Sequence, residues 1–278
     1  MQKIKKKFWL EKFDCFSVYG KDAKKFLNGI TTSNILNSEN KVTKTCWLTP
    51  NGVLRALIEI IFSERNLDVI ILVGNTKEII DQFNKIIFPA DDVILSAPFS
   101  INRIQEIDEV SSWRSHKALF FKKNDKEFEK YKNKLNLLNS NDLKLWKVNQ
   151  AIPSLDMEIN GKNNPLELGL KDLIDFNKGC YLGQETMSKI KNVSSLKQEI
   201  RVWQSFDSNF NFKLKDKNLY TNSAKEKSVG KITSILKSDS YIQGLAMVKR
   251  KYLDEEDYFY SEIFGKIIIR KSVGSLFP

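Results

Sequence analysis

Short alternating runs of apolar and polar residues dominate the first hundred positions, and they predict strands rather than long helices. Residues 14–19 alternate loosely and favour a strand. The β-prone runs Thr43–Leu48 and Val53–Phe62 flank Pro50-Asn51-Gly52. Proline fixes φ and the Asn-Gly pair accepts a left-handed turn, so this segment predicts a hairpin. The run Leu67–Val73 predicts a further strand.

Helical spacing interrupts the strands at two places. Asp22 follows a glycine and predicts a capped helix that contains Phe26 and Leu27. A second helix is predicted from Thr76, as its cap, to Pro89, and its apolar face holds Ile79, Ile80, Phe83, Ile86 and Ile87. Residues 91–100 then return to a strand pattern. Mixed hairpin strands and short helices indicate an α+β domain built on antiparallel sheets.

The second half of the chain divides into a helical and a β-rich part. Helices are predicted over Phe128–Leu138 and Asp142–Asn149. From Glu199 onward, polar turns separate short β-prone runs: Ile200–Phe206, Tyr241–Val248 and Ile267–Ile269. This pattern predicts a small C-terminal β-barrel. We therefore expect an α+β body over residues 1–198 and a barrel over residues 199–278.

Composition indicates a globular chain without a membrane segment. Hydrophobic residues make up 41% and charged residues 28% of the 278 positions. No apolar run approaches the ~20 residues needed to span a bilayer. The first residues are basic, but Glu11, Lys12 and Asp14 interrupt any signal-peptide core. A cytoplasmic location is the expectation.

Net charge and the scarcity of arginine bear on the partner. The formal charge is +11 and the isoelectric point about 9.3, which favours an anionic partner, either nucleic acid or a small molecule with carboxylates or phosphates. Lysine supplies most of this charge, whereas base-specific readers use arginine for its bidentate fork. Nucleic acid is therefore not expected as the main partner.

Cysteine and histidine usage argues against a metal site held by this chain alone. Cys15, Cys46 and Cys180 are widely spaced, no C-x-x-C occurs, and His116 is the single histidine. Zinc and iron–sulfur sites normally take four thiolate or imidazole ligands. Cys15 and Cys46 have aromatic neighbours and are expected in the core. His116 lies in a polar stretch and is expected at the surface.

The run Lys178-Gly179-Cys180-Tyr181-Leu182-Gly183-Gln184-Glu185 gathers a thiol, an amine, a phenol, an amide and a carboxylate around two glycines. Glycine lets a backbone pass close to a ligand. If the segment were a strand, Lys178 and Cys180 would share a face, and the cation would lower the pKa of the thiol. An ordinary turn with a buried cysteine is the alternative interpretation.

This run resembles the K-G-C-Y-x-G-Q-E signature of the YgfZ-type folate-binding proteins, which are relatives of the glycine-cleavage T-protein, an aminomethyltransferase. Seven specified positions match. Residues 18–32 also resemble the G-x-D-A-x-x-F-L-x-G-x-x-T opening of that family, and Ala151-Ile152-Pro153 resembles its G-I-P turn. The matches occur in the family's order along most of the chain.

The resemblance implies a T-protein-like body with a C-terminal barrel and a central cleft that holds tetrahydrofolate or a derivative. It implies Cys180 and Lys178 as reactive residues, and a folate-binding set of Tyr181, Gln184, Glu185, Lys189 and Asn149. It further implies a monomeric accessory protein whose partners are a reduced folate and iron–sulfur client or assembly proteins.

An aminomethyltransferase or another one-carbon transferase is the alternative function, and three departures from the relatives argue against aminomethyl transfer or alter the expected folate contacts. The T-protein carries acidic residues after its turn, where this chain has Arg55. Asn149 replaces the glutamate of the family's R-x-E-x-G-I-P, and Lys189 replaces an arginine. Lysine keeps the charge but loses the bidentate fork, so folate affinity is expected to be altered.

Overall fold

The computed structural model describes residues 6–38, 42–122, 125–191, 196–206, 215–238, 240–253 and 257–275. In the first part of the chain the elements are β1 (Lys7–Tyr19), α1 (Ala23–Ile30), β2 (Val42–Leu48), β3 (Leu54–Phe62), β4 (Leu67–Val73), α2 (Thr76–Ile86), β5 (Ile94–Leu95), β6 (Phe99–Ile107), β7 (Ala118–Lys122), α3 (Lys126–Lys132), α4 (Ser140–Asn149) and α5 (Gln184–Lys189). The later strands are β8 (Gln198–Ser205), β9 (Asn218–Tyr220), β10 (Ser228–Ile232), β11 (Leu236–Lys237), β12 (Ile242–Lys249), β13 (Tyr258–Ser261) and β14 (Gly265–Arg270).

The first sheet has the order β2-β3-β4-β1-β6-β7, with β5 paired to β1, and each of these strand pairs is antiparallel. The hairpin predicted at Pro50-Asn51-Gly52 is confirmed, since β2 pairs with β3 and Gly52 takes φ 76°. Strand β1 begins well before the predicted residue 14, because its alternation reaches back to Trp9. The side chains on the two faces of β1 pack into two separate hydrophobic cores, one on each side of the sheet.

Helices α1 and α2 cover one face of this sheet. Phe83 of α2 lies at the centre of this core, and its ring centroid is 5.9 Å from that of Phe16, 5.8 Å from that of Phe26 and 5.4 Å from that of Trp47. All three contacts are edge-to-face, the arrangement that the aromatic quadrupole favours. This packing leaves the opposite face of the sheet for the rest of the chain.

The predicted C-terminal barrel is confirmed. Strands β10, β9, β13, β14, β8 and β12 pair in that order, and a β10–β12 pairing closes the ring. The barrel has its own core around Trp203 and Phe264. Other side chains of β8 and β12, including Val202 and Leu245, pack instead into the core on the open face of the first sheet. The proposed division between residues 198 and 199 falls at the first residues of β8.

Several predicted boundaries were wrong, mostly where a side chain had a distant partner. The cap of α2 is Asn75, whose side chain accepts from the Glu78 amide, and Thr76 bonds instead to Asp14. Asp22 precedes α1 without capping it, because its carboxylate accepts from the Asp92 amide.

Two predicted elements are shorter or divided. The helix expected over Phe128–Leu138 ends at Lys132, and Leu137 then bridges to Phe8 of β1. The strand expected over residues 91–100 is divided between β5 and β6. Helix α4 agrees with its prediction. The helices in the described part of the chain are too short or too polar to cross a membrane.

Candidate functional site

Lys178 is a buried anchor. Its ammonium donates to the carbonyl oxygens of Asn28, Thr31 and Ser33, at 2.6, 2.7 and 2.8 Å. An ammonium has three donors, so all of them are used. Burial lowers the pKa of Lys178 to about 8, against a smaller opposing effect of Asp175. The residue therefore joins its loop to the end of α1.

Cys180 is exposed, two residues after a buried lysine. The segment is a turn rather than a strand, so the shared face expected for Lys178 and Cys180 is not formed. Cys15 and Cys46 are buried, as predicted, and burial raises the pKa of the Cys46 thiol to about 12. Cys180 is thus the accessible thiol of the chain.

Tyr181 faces the core. It is 6% exposed, and its hydroxyl has no hydrogen-bond partner among the described residues. Burial, followed by the charge of Asp175, raises the pKa of Tyr181 to about 12. The Lys178 ammonium lies 5.2 Å from the centre of the Tyr181 ring. The phenol contributes to packing beneath the motif rather than to an open wall.

The end of the motif forms the start of α5. Gly183 precedes this helix with φ 86°, and a Cβ there would lie 2.7 Å from the Thr49 carbonyl oxygen. Only glycine permits this approach of α5 to the β2–β3 turn. Gln184 bonds back to the Lys178 carbonyl oxygen at 3.3 Å.

Glu185 and Lys189 form a surface pair one helical turn apart. Their charged atoms are 2.6 Å apart, and the side chains are 83% and 74% exposed. This contact lowers the pKa of Glu185. The expected role of Glu185 at a pterin ring stays a prediction, and its placement is that of a solvated ion pair.

A cavity of about 390 Å³, here called the cleft, lies between the open face of the first sheet, α4 and the barrel. The rings of Trp9 and Trp113, 2% and 0% exposed, lie beneath its surface, and α4 contributes Lys144 and Lys147. The remaining lining is Leu72, Val73, Val148, Ile152, Pro153, Ser154, Leu155, Ser234, Ile235, Leu236 and Leu245. The motif residues expected to line a central cleft are not in this lining.

A buried ionic network contacts the ring of Trp9. Arg103 and Glu59 are completely buried, and the guanidinium donates to both carboxylate oxygens at 2.6 and 2.8 Å. The Arg103 guanidinium carbon lies 4.5 Å from the centre of the Trp9 ring, and the Lys147 ammonium lies 4.9 Å from it. Glu11 accepts from Trp9 Nε1 at 2.7 Å and also from Lys147. These contacts fix the orientation of the ring.

Sequence reasoning missed the cleft residues. Trp9 and Trp113 lie in segments whose patterns gave no indication of a site, and Lys144 and Lys147 are two among many lysines. The one available signal was Trp113, a large apolar side chain inside an otherwise polar stretch, which could have indicated a buried position there. Asn149, predicted to bind folate, lies elsewhere: its side chain accepts from Arg270 at 2.6 Å.

Comparisons with known proteins show the fold. No family profile matches the chain. A stretch of 107 residues is 31% identical to a chloroplastic protein of Arabidopsis thaliana named provisionally as a transferase, over 38% of this chain and 23% of that protein. The chain thus spans less than a quarter of that relative. The crystal structure of glycine cleavage system aminomethyltransferase T from Bartonella henselae superposes with a TM-score of 0.70 at 12% identity, over 97% of this chain and 85% of that chain. The chain has the T-protein fold.

Proposed function

We propose that this protein binds tetrahydrofolate or a derivative in the cleft and supports iron–sulfur protein assembly or repair, as a YgfZ-type accessory factor. The observation that carries the folate part is a largely apolar cleft with two lysines, within a T-protein fold. The signature around Cys180 carries the iron–sulfur part.

The cleft suits a flat ligand. A reduced folate presents a pterin, an aromatic linker and an anionic glutamate tail. The volume of about 390 Å³ lies within the range of small-molecule sites. The ring systems would lie against the aliphatic side chains that form most of the lining, above the buried rings of Trp9 and Trp113.

The lysines at the cleft suit the anionic tail of a folate. Lys144 and Lys147 would hold its carboxylates. Glu11 is paired with Lys147 and so belongs to the same end of the cleft. The lining within the described residues includes no carboxylate for the pterin edge, and Glu185 lies outside it. When bound, the folate would supply a one-carbon carrier.

The iron–sulfur role rests on the exposed thiol. Among the described residues, no three side chains of histidine, cysteine, aspartate or glutamate are close enough to hold a metal ion. We propose that Cys180 makes a transient contact with a partner that supplies the other ligands. Lys178 would act as a positioning residue, since its three hydrogen bonds fix the loop that presents the thiol.

The folate proposal is tested by anaerobic calorimetric titration with tetrahydrofolate. The wild-type chain is expected to bind it saturably, and Lys144→Glu to weaken binding at least about tenfold, the effect of one charge-assisted contact. The controls Lys126→Glu, an equal charge reversal on α3, and Cys180→Ser should bind as the wild type does. The absence of saturable binding, or full affinity in Lys144→Glu, would contradict the proposal.

The iron–sulfur proposal needs a separate assay. In a bacterial strain that lacks its own protein of this type, the wild-type chain is expected to restore the activity of an iron–sulfur enzyme, and Cys180→Ser to restore less. Ser188→Ala, an exposed change on α5, serves as the matched control. Equal restoration by Cys180→Ser would remove the thiol from the proposal.

A one-carbon transferase is the second candidate, favoured by the name of the similar solved structure, an aminomethyltransferase, whereas the Arabidopsis protein is named only as a transferase. One observation argues against it. After the β2–β3 turn, where the T-protein carries acidic residues, this chain has Arg55, whose side chain pairs with Glu78 and lies over Trp47. Formation of methylene-tetrahydrofolate and ammonia from tetrahydrofolate and an aminomethyl donor, catalysed by the wild-type chain, would select the transferase. Binding without turnover would select the accessory factor.

A further inference from the structure

A second cavity of about 400 Å³ lies against the opposite side of α4 from the cleft. Helix α4 contributes Asp142, Leu145, Trp146 and Asn149 to it, and β14 contributes Arg270. Its lining and that of the cleft have no described residue in common. The folate proposal makes no use of this space.

Arg270 is a cation with spare donors at one end of this cavity. Its guanidinium donates to Asn149 Oδ1 at 2.6 Å and makes no ion pair within the described ranges. Burial lowers the pKa of Arg270, which indicates that water only partly solvates the charge. A guanidinium has five N–H donors in a planar fork that matches a carboxylate. A ligand carboxylate would satisfy donors that the described protein groups leave unused.

A carboxylate lies toward the other end. Asp142 is in the first turn of α4, seven residues before Asn149, which places them about 10 Å apart along the helix axis. Its carboxylate accepts one hydrogen bond, from Asn139 at 2.8 Å. Asp108 also lines the cavity, but its carboxylate accepts from two backbone amides and contacts His116. An ammonium would therefore find Asp142 as a partner away from the guanidinium.

An apolar wall separates the two charged ends. Leu145 and Trp146 occupy α4 between Asp142 and Asn149, and Leu138 and Ile107 complete this part of the lining. A ligand with an aliphatic spacer would remove these surfaces from water. A compact polyanion is disfavoured, because the carboxylates of Asp108 and Asp142 would repel it.

We propose that this second cavity binds an elongated zwitterion, a small molecule whose carboxylate and amine are separated by an apolar chain. Arg270 takes the carboxylate, Asp142 the ammonium, and Trp146 the spacer. This site is independent of the folate proposal, since it needs neither the cleft lysines nor Cys180.

A length series of ω-amino acids tests the spacing. Glycine, 4-aminobutanoate, 6-aminohexanoate and 8-aminooctanoate are titrated calorimetrically against the full chain, together with hexanoate and hexylamine. We expect affinity to peak at 6-aminohexanoate. Each single-charge analogue should bind at least about tenfold more weakly, since it lacks one charge-assisted contact. The absence of saturable binding by every zwitterion, or equal binding of hexanoate, would overturn the proposal.

Substitutions locate the two charged ends. Arg270→Gln should weaken 6-aminohexanoate at least about tenfold and leave hexylamine unchanged. Asp142→Asn should weaken 6-aminohexanoate and leave hexanoate unchanged or tighter. The control Arg65→Gln removes the same charge at an exposed position and should have no effect. If Arg270→Gln does not fold, Asp142→Asn still decides, and unaltered affinity in that variant overturns the proposal.

Discussion

The buried pair beneath Trp9 gives the sharpest test of what stabilises the body of the protein. Glu59→Gln keeps the shape of the side chain and removes its charge. Two cations remain, since Arg103 is bonded to both carboxylate oxygens and the Lys44 ammonium lies 3.6 Å from one of them. Burial alone would raise the pKa of Glu59, but Arg103 and Lys44 reverse this and lower it.

The expected loss follows from complete burial. Both Glu59 and Arg103 have side chains that are 0% exposed, so water cannot replace the missing anion. Breaking such a pair from one side typically costs about 3–5 kcal/mol in the free energy of unfolding. Replacing both members by apolar residues, as in Glu59→Leu with Arg103→Met, should recover part of this loss, because the guanidinium is removed with the carboxylate and only the Lys44 ammonium, 13% exposed, loses its partner.

Urea unfolding monitored by tryptophan fluorescence measures these differences. Glu78→Gln is the matched control, because it breaks the exposed pair with Arg55 and should cost no more than about 1 kcal/mol. A loss below about 1 kcal/mol in Glu59→Gln would refute the reasoning. So would a double variant that is less stable than Glu59→Gln, since the buried charge would then not be the cause.

Three further predictions concern the motif. Burial holds the pKa of Lys178 at about 8, below its ordinary 10.5, so the unfolded chain keeps this proton to higher pH. The difference in free energy of unfolding between the wild type and Lys178→Met should therefore rise by about 3 kcal/mol as the pH is raised from 8 to 10.5. Urea titrations that give the same difference at both pH values would contradict this. Gly183→Ala should lower the free energy of unfolding by about 2 kcal/mol or more, because alanine is strained in the left-handed conformation and its Cβ would contact the β2–β3 turn. The control Gly29→Ala adds a Cβ that meets nothing within 4 Å, so it should not destabilise the protein in thermal melts. A thiol reagent should modify Cys180 alone in the native protein and all three cysteines after denaturation; rapid native reaction of a second thiol would show the burial to be wrong.

Local patterns predicted the elements whose determinants are local. Pro50-Asn51-Gly52 specifies its turn through backbone preferences, and the barrel strands β13 and β14 alternate because only one of their faces is buried. Caps were predicted less well, because Asp22 had a distant partner and Asn75 competed with its neighbour Thr76. A capping side chain bonds to whichever amide the fold brings near, and sequence spacing does not contain that information.

The candidate site could be predicted only in part for the same reason. The motif was visible as a sequence run, but the opposite directions of Lys178 and Cys180 depend on carbonyl groups far back in the chain. The cleft brings Trp9 of β1 together with Trp113 and the lysines of α4. Residues so far apart in sequence meet through strand pairing and helix packing, which no local pattern encodes.

The hydrogen bonds of Lys178 also constrain the order in which the chain can become structured. The Asn28 carbonyl belongs to the last turn of α1, where backbone acceptors have no partner within the helix. Its partner lies 150 residues later. An eight-residue helix is too short to persist alone. During synthesis from the N-terminus, strands β1 to β4 can pair long before that lysine exists, whereas the Asn28 carbonyl gains its lysine partner only after the chain has grown to the thiol-bearing loop.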